Sequence, residues 1–321
     1  MKVVIVGLGI QGKKRQAIAG RDVVTTVDPI EPNAEYRSID QVPLDSYDAA
    51  CVCTPDETKL DILNYLLGHG KHVLVEKPLV AGDESALTNL SELARSNRVA
   101  CYTAYNHRFE PHIVSLKALL DAGTLGSVYL VRGFYGNGTA RDVRNSSWRD
   151  HGLGVISDLG SHLLDICAFC AGRPTSDPLV WNVNRFENRS FDHALFGFTG
   201  SPTLELEMTM LSWRNSFRFD VFGERGSAHI DCLCKWGPST LTVRHRVLPS
   251  GRPPEESQTL IQPDPTWKAE YEHFVGLCRT ASTNIDNDIW INAIMTRLSE
   301  SVDEIPVSLS DTHTSKSAAG S

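Results

Sequence analysis

The first 28 residues restrict the fold more than any other stretch of the chain. Val3-Val4-Ile5-Val6 is a short β-branched run, the composition of a strand buried on both faces. Gly7-Leu8-Gly9-Ile10-Gln11-Gly12 follows at once, and a helical stretch from Lys13 to Ala19 closes at Gly20. This is G-x-G-x-x-G with a strand before it and a helix after it. The first glycine makes the tight turn, the second lets backbone approach a diphosphate, and the third lets helix and strand pack closely. A second strand, Val23 to Val27, ends in Asp28, 21 residues after Gly7. A carboxylate there accepts hydrogen bonds from ribose hydroxyls and repels a 2′-phosphate, so the pattern predicts NAD over NADP. Lys13, Lys14 and Arg15 pull the other way, because a cation beside the glycine loop can hold that phosphate.

The strand and helix alternation continues. Asp48 to Cys53 reads as a third strand ending in Thr54-Pro55, and a helix runs from about Asp56 to Gly68. His72 to Val75 is a fourth strand ending in Glu76-Lys77-Pro78, where proline stops the strand and fixes the turn. Asp83 can cap a helix that runs through Ala94, and Val99 to Thr103 is a fifth strand ending in the cluster Tyr105-Asn106-His107-Arg108-Phe109. Such alternation implies a doubly wound parallel sheet, with ligands at the carboxyl ends of its strands. Gly9, Asp28, Thr54, Lys77 and Asn106 would line that crevice. An amine there can exchange a proton with a substrate hydroxyl if its pKa is brought down. The plainer reading of Glu76-Lys77-Pro78 is a solvated surface turn.

The helix after Pro111 ends near Gly123, and the pattern changes there. Residues 1–122 read as a Rossmann dinucleotide-binding domain. Residues 123–308 read as a substrate-binding and oligomerisation α/β domain, and the small, polar residues 309–321 as a disordered tail. Ser127 to Tyr135 alternates as a strand, and Trp148 to Gly154 reads as a polar loop. Val155 to Ala171 reads as one helix, with Leu159, Leu163, Ile166 and Cys170 on one face and Asp158, His162 and Asp165 in a row on another. A carboxylate one turn from an imidazole orients the ring and raises its pKa. A solvated acidic face with one histidine is the alternative. Further strands are expected over Leu179–Phe186, His193–Phe198, Thr203–Leu211, Phe217–Phe222, Ser227–Cys232 and Leu241–Val247, joined by short turns into an open, mostly antiparallel sheet. Two helices, Trp267 to Arg279 and Ile289 to Val302, close the pattern.

Composition narrows the function. A chain of 321 residues favours two domains. Its net charge is -8 without a basic stripe, which argues against nucleic acid as a partner. No apolar run approaches the roughly 18 residues that span a bilayer, which argues against a membrane partner. The apolar start is broken by glycines at once and reads as a strand, not a secretion signal. Eight cysteines include Cys167-x-x-Cys170 and Cys232-x-Cys234, but their flanks are helix-like and strand-like. They read as packing residues of a reduced, cytoplasmic chain with no metal.

Glu76-Lys77-Pro78 and Asp158-x-Gly160-x-His162-x-x-Asp165, in this order behind the glycine loop, make the chain resemble the Gfo/Idh/MocA family of glucose–fructose oxidoreductase and inositol dehydrogenase. The likeness spans nearly the whole chain. It implies Lys77, Asp158 and His162 as the catalytic group and a cis Lys77–Pro78 peptide. It also implies an open sheet that forms the interface of a homo-oligomer, a dimer or tetramer. Cofactor contacts are then expected from Gly7, Gly9, Ile10, Gln11, Gly12, Asp28, Thr54, Pro55, Glu76 and Asn106. Substrate contacts are expected from Lys77, His107, Arg108, Arg149 and His162. The family usually carries histidine five positions after the threonine of Thr54-Pro55, and this chain has Lys59.

The expected reaction is reversible oxidation of a secondary alcohol on a sugar-like small molecule. The hydride passes to nicotinamide and the proton to Lys77 or His162, while Asp158 orients His162. Arg141, Arg144 and Arg149 before the catalytic helix suggest a nucleotide-linked sugar of surface-polysaccharide synthesis. Free-sugar or inositol oxidation, aldehyde or imine reduction, and a non-catalytic NAD-binding sensor are the alternatives. The presence of all three reactive side chains argues against the sensor.

Overall fold

Strand β1 (Val3–Val6) runs through the glycine turn into α1 (Ile10–Ala19), and β2 (Val23–Val27) follows. Next come β3 (Ala49–Val52), α2 (Asp56–Gly68), β4 (His72–Glu76), α3 (Glu84–Ser96), β5 (Cys101–Ala104) and α4 (Pro111–Asp121). These coordinates are a computed structural model that describes residues 1–146 and 149–303, with backbone alone at Glu84 and Asp303. The expected tail 309–321 and Trp148 lie outside the described residues.

The five strands form one parallel sheet in the order β2-β1-β3-β4-β5. β1, β3 and β5 are buried along their whole length, as short apolar strands are when helices cover both faces. Chain direction across the sheet reverses between β1 and β3, which opens a crevice at their carboxyl ends. Asp83 caps α3 as expected, accepting from Ser85 N at 2.9 Å.

The second half contributes β6 (Val128–Gly136), the short helix α5 (Ala140–Arg144), and a π-helical turn over Ile156–Gly160 that continues into α6 (Ser161–Ala171). Then follow β7 (Leu179–Asn184), β8 (His193–Phe198), β9 (Thr203–Thr209), β10 (Ser216–Gly223), β11 (Gly226–Asp231), β12 (Ser239–His245) and β13 (Glu255–Leu260). They form an eight-stranded sheet, β13-β12-β11-β10-β6-β9-β8-β7, antiparallel except at the β6–β9 pair. Phe217, Phe219 and Val221 of β10 and Leu204, Leu206 and Met208 of β9 are buried in one core with Leu163 and Ile166 of α6. Arg218 and Glu205 alternate outward from the same strands. β13 carries no apolar alternation and was not expected. It is an exposed edge strand whose hydroxyls pair across the ladder, Thr259 with Thr240 and Ser257 with Thr242, each at 2.9 Å.

α7 (Thr266–Thr280) and α8 (Ile285–Asp303) return to the first sheet. Tyr271 and Phe274 join the core around β1 and β3, and Ile285 joins the core on the other face. α8 begins four residues before the expected Ile289. Its first turn is polar yet buried at Asn287 and Asp288, which hid it from the apolar periodicity.

Candidate active site

Lys77 follows β4 directly, and the Lys77–Pro78 peptide is cis. Its ammonium crosses the crevice to the π-helical turn. There it donates to Asp158 Oδ1 at 2.7 Å and to the Asp158 carbonyl at 2.9 Å. The same carbonyl also accepts from Ser161 Oγ at 3.2 Å. Arg149 Nη2 lies 3.5 Å from Asp158 Oδ2. Burial pushes the Asp158 carboxyl up, but Lys77 and then Arg149 outweigh burial and hold it below the usual carboxylate range.

The expected pairing of Asp158 with His162 is corrected here. The expected single helix would have stacked the two one turn apart, but the π turn breaks that 3.6-residue spacing and Asp158 serves Lys77 instead. His162 stacks on His107, with ring centroids 4.0 Å apart and planes 29° from parallel. Its pKa lies well below the ordinary value, not above it. Burial is the chief cause, and His107, Lys77 and Lys235 reinforce it. Nδ1 of both His162 and His107 is buried without a partner among the described residues. Tyr105 and Tyr135 stand around the pair, their ring centroids 6.2 and 6.0 Å from His162.

Asp165, the third member of the expected row, faces elsewhere. It accepts from Arg108 Nε at 2.8 Å, Arg108 Nη2 at 2.5 Å and Asn287 Nδ2 at 2.8 Å. Arg108 is therefore committed to a brace between the β5 crossover, α6 and α8. Asn106 is similarly tied to α7, donating to Thr266 Oγ1 at 2.8 Å. Lys59, at the histidine position of the resembled family, is buried. It donates to Asp56 Oδ1 at 2.6 Å and to the Pro78 carbonyl at 2.8 Å. It supports the Lys77–Pro78 turn from below.

The glycine loop fits a dinucleotide. A Cβ on Gly12 would lie 1.8 Å from the Gly7 carbonyl oxygen, and one on Gly7, at φ +89°, would lie 2.7 Å from the Cys53 carbonyl oxygen. Among the described residues nothing stands within 4 Å of the Cβ position at Gly9, and no side chain caps α1. The first amides of α1 are thus free for a diphosphate. Ile10 and Gln11 are exposed at that end. Thr54 Oγ1, past the end of β3, is buried without a partner among the described residues. Pro55 leads into α2 beside it.

Asp28 lashes β2 to the loop. Its Oδ2 accepts from Leu8 N at 2.7 Å and its Oδ1 from Ile30 and Glu31 N at 2.9 Å each. Burial works against ionisation, but these amides and Arg37 outweigh it and hold the pKa below the usual range. The three cations that favoured a 2′-phosphate each have a partner, although Lys13 is exposed and its partner Glu31 belongs to the Asp28 turn. Lys13 pairs with Glu31 at 3.0 Å and Lys14 stands over the Trp267 ring at 4.8 Å. Arg15 is buried, bonding Glu76 Oε1 and Glu270 Oε2 at 2.6 Å each. Glu76, expected among the cofactor contacts, is thereby part of a buried brace between α1, β4 and α7.

Sequence reasoning missed Lys235, whose Nζ lies 2.9 Å from His107 Nε2, and Trp236, whose ring centroid is 5.6 Å from that of Tyr135. Both sit in a single turn between β11 and β12 and belong to no motif.

A family model described as an oxidoreductase family with an NAD-binding Rossmann fold matches residues 1–105. The GFO/IDH/MocA C-terminal domain matches residues 113–229. The chain is 26% identical to scyllo-inositol 2-dehydrogenase (NAD(+)) of Bacillus subtilis, over 85% of this chain and 83% of the relative. It is 28% identical to the oxidoreductase YdgJ of Escherichia coli, over 71% of this chain and 70% of the relative. Levoglucosan dehydrogenase in complex with NADH and L-sorbose shares the fold at a TM-score of 0.81 and 16% identity, with 94% of this chain and 97% of that chain covered. The strand order, the glycine cradle and these matches place the chain in the Gfo/Idh/MocA family of NAD-binding oxidoreductases, dehydrogenases that act on CH–OH groups.

Proposed function

We propose that the chain oxidises a secondary alcohol on a sugar-like ring, with Lys77, Asp158 and His162 as the catalytic group. The observation that carries this reading is the Lys77 Nζ to Asp158 Oδ1 bond of 2.7 Å, which brings the end of β4 and the π turn together over the crevice. Bound nicotinamide supplies the hydride acceptor. Gly7, Gly9 and Gly12 shape the turn that admits the diphosphate, and the first amides of α1 face it. Asp28 keeps acceptor capacity for the adenosine ribose, because its two oxygens receive only three amide bonds.

The alcohol proton is assigned to the Lys77–His162 pair. His162 is uncharged at neutral pH and so open to a proton. Asp158 balances the charge of Lys77 and, through Arg149, ties in the loop after α5. His107 and Arg149 are the remaining substrate contacts of the proposal.

The narrower proposal is a nucleotide-linked sugar. Its support is Arg144, exposed at the end of α5, together with the exposed Arg141, which lies 3.8 Å from Glu187. A free inositol is the second reading, favoured by the scyllo-inositol relative that covers 85% of this chain. A homo-oligomer formed through the uncovered face of the second sheet, in a reducing cytoplasm that suits eight free thiols, completes the proposal.

The test is appearance of reduced nicotinamide with NAD, and separately NADP, over a panel of inositols, free sugars and UDP-sugars. Turnover of a ring alcohol with NAD is expected. Silence across the panel, with NADH still bound, overturns the reading.

A further inference from the structure

Lys235 is carried on a turn that is itself held in place. Glu110, fully buried, accepts from Cys234 N at 2.5 Å and from Cys234 Sγ at 3.3 Å. The next residue, Lys235, lies over the Trp236 ring at 4.6 Å and reaches His107 Nε2 at 2.9 Å. His107 in turn stacks on His162 at 4.0 Å. An ammonium can only donate, so His107 Nε2 must accept, and the single proton of the neutral ring then sits on Nδ1. That nitrogen is buried and has no partner among the described residues. It is a donor held in reserve beside the catalytic imidazole.

We propose that Lys235 is a positioning residue of the reaction centre: it fixes His107 as the Nδ1–H tautomer and so supplies a hydrogen-bond donor for a substrate oxygen next to His162. The inference rests on the dehydrogenase reading for its consequence in turnover, but not for the tautomer itself.

The charges around the turn agree. Lys235 is brought down to about 8, chiefly by burial. Lys14 of α1 and Lys77 after β4 add to that, while Asp264 and Glu110 oppose it. At neutral pH it therefore remains a donor. His107 faces Lys235 and Lys77, and His162 faces His107, Lys77 and Lys235. Among the described residues no carboxylate faces either ring strongly enough to offset burial, and both pKa values lie well below the ordinary one. A second cation beside two stacked rings penalises protonation of either.

Imidazole nitrogen shifts of the 15N-histidine-labelled protein test this without substrate, with His107 among the 11 histidines assigned by its loss in His107→Gln. At pH 7 the wild type is expected to show His107 protonated on Nδ1, and Lys235→Arg to keep that pattern. Lys235→Met is expected to lose the fixed tautomer and to move the protonation of both rings upward toward the ordinary histidine range. In turnover, Lys235→Met should lower kcat/KM by roughly tenfold and shift its acid limb upward, and Lys235→Arg should restore both. An Nε2–H tautomer in the wild type overturns the proposal, as does an unchanged tautomer and acid limb in Lys235→Met. If the tautomer is as expected and no variant or wild type turns over any alcohol, the dehydrogenase reading has failed and the role of Lys235 in positioning His107 stands.

Discussion

The two sheets contribute to the site in different ways. The first is sealed on both faces, so β1, β3 and β5 expose nothing along their length and everything they offer emerges at their carboxyl ends. Gly7, Asp28, Thr54 and Lys77 all stand at such ends. Among the described residues the second sheet is covered on one face only. It gives Tyr135 to the site from a strand, and Lys235 and Trp236 from a connection between two strands. A sealed parallel sheet concentrates chemistry where a linear motif can mark it. A half-open sheet delivers side chains from positions that share no spacing with the rest of the site.

Substitutions that contrast buried braces with the open face sharpen this comparison. Arg15→Met removes the cation between Glu76 and Glu270 and leaves two buried carboxylates without it. The loss should be about 3–5 kcal/mol, read from denaturant midpoints. Phe219→Ala, on the covered face of the second sheet, should cost a similar ~3–5 kcal/mol through the cavity it leaves. Arg15→Met within about 1 kcal/mol of wild type would show that the first sheet does not depend on its brace.

A smaller effect is expected at Asp288, buried on α8, where Thr103 Oγ1 bonds it at 2.8 Å and Tyr105 Oη at 3.2 Å. Burial, with Asp165 adding to it, pushes its carboxyl up to about 8, against the opposing pull of Thr103, Tyr105 and Arg108. The folded pKa is raised above the unfolded one. Its contribution is therefore fully favourable at low pH, and stability is lost as pH rises from about 4 toward 8. Asp288→Asn should remove that slope and gain on the order of 2 kcal/mol over wild type by pH 8.5. Parallel stability curves across the window would contradict it. The smallest effect belongs to the outer face. Arg132→Ala breaks a half-exposed pair with Glu205 and should stay within about 1 kcal/mol of wild type in the same denaturation assay.

The first sheet was legible because its signals are local: β-branched runs, glycine spacing and a proline after β4. The α/β pattern of the second half was legible for the same reason, apart from β13 and α5, whose polar residues carry no apolar period. The site was only partly legible. Lys77 and Asp158 meet, a pairing that the sequence reading, with Asp158 set against His162, did not name. The helical row of Asp158, His162 and Asp165 did not survive the π turn, because spacing predicts neighbours only while the turn stays at 3.6 residues. Arg15 read as a possible contact for a 2′-phosphate and Lys59 as a replacement for a family histidine, and both are buried in the fold. Their partners, Glu270 and the Pro78 carbonyl, are set by tertiary packing that no spacing announces.

The central claim is that Lys77 handles the proton while the glycine loop holds the cofactor. Its most direct test compares wild type with Lys77→Ala in two assays, NADH binding by fluorescence titration and NADH formation from NAD with the best substrate of the panel. The account predicts NADH affinity within about threefold of wild type and turnover lowered by roughly 10²–10⁴. Near-normal turnover, or loss of NADH binding in the variant, would contradict it.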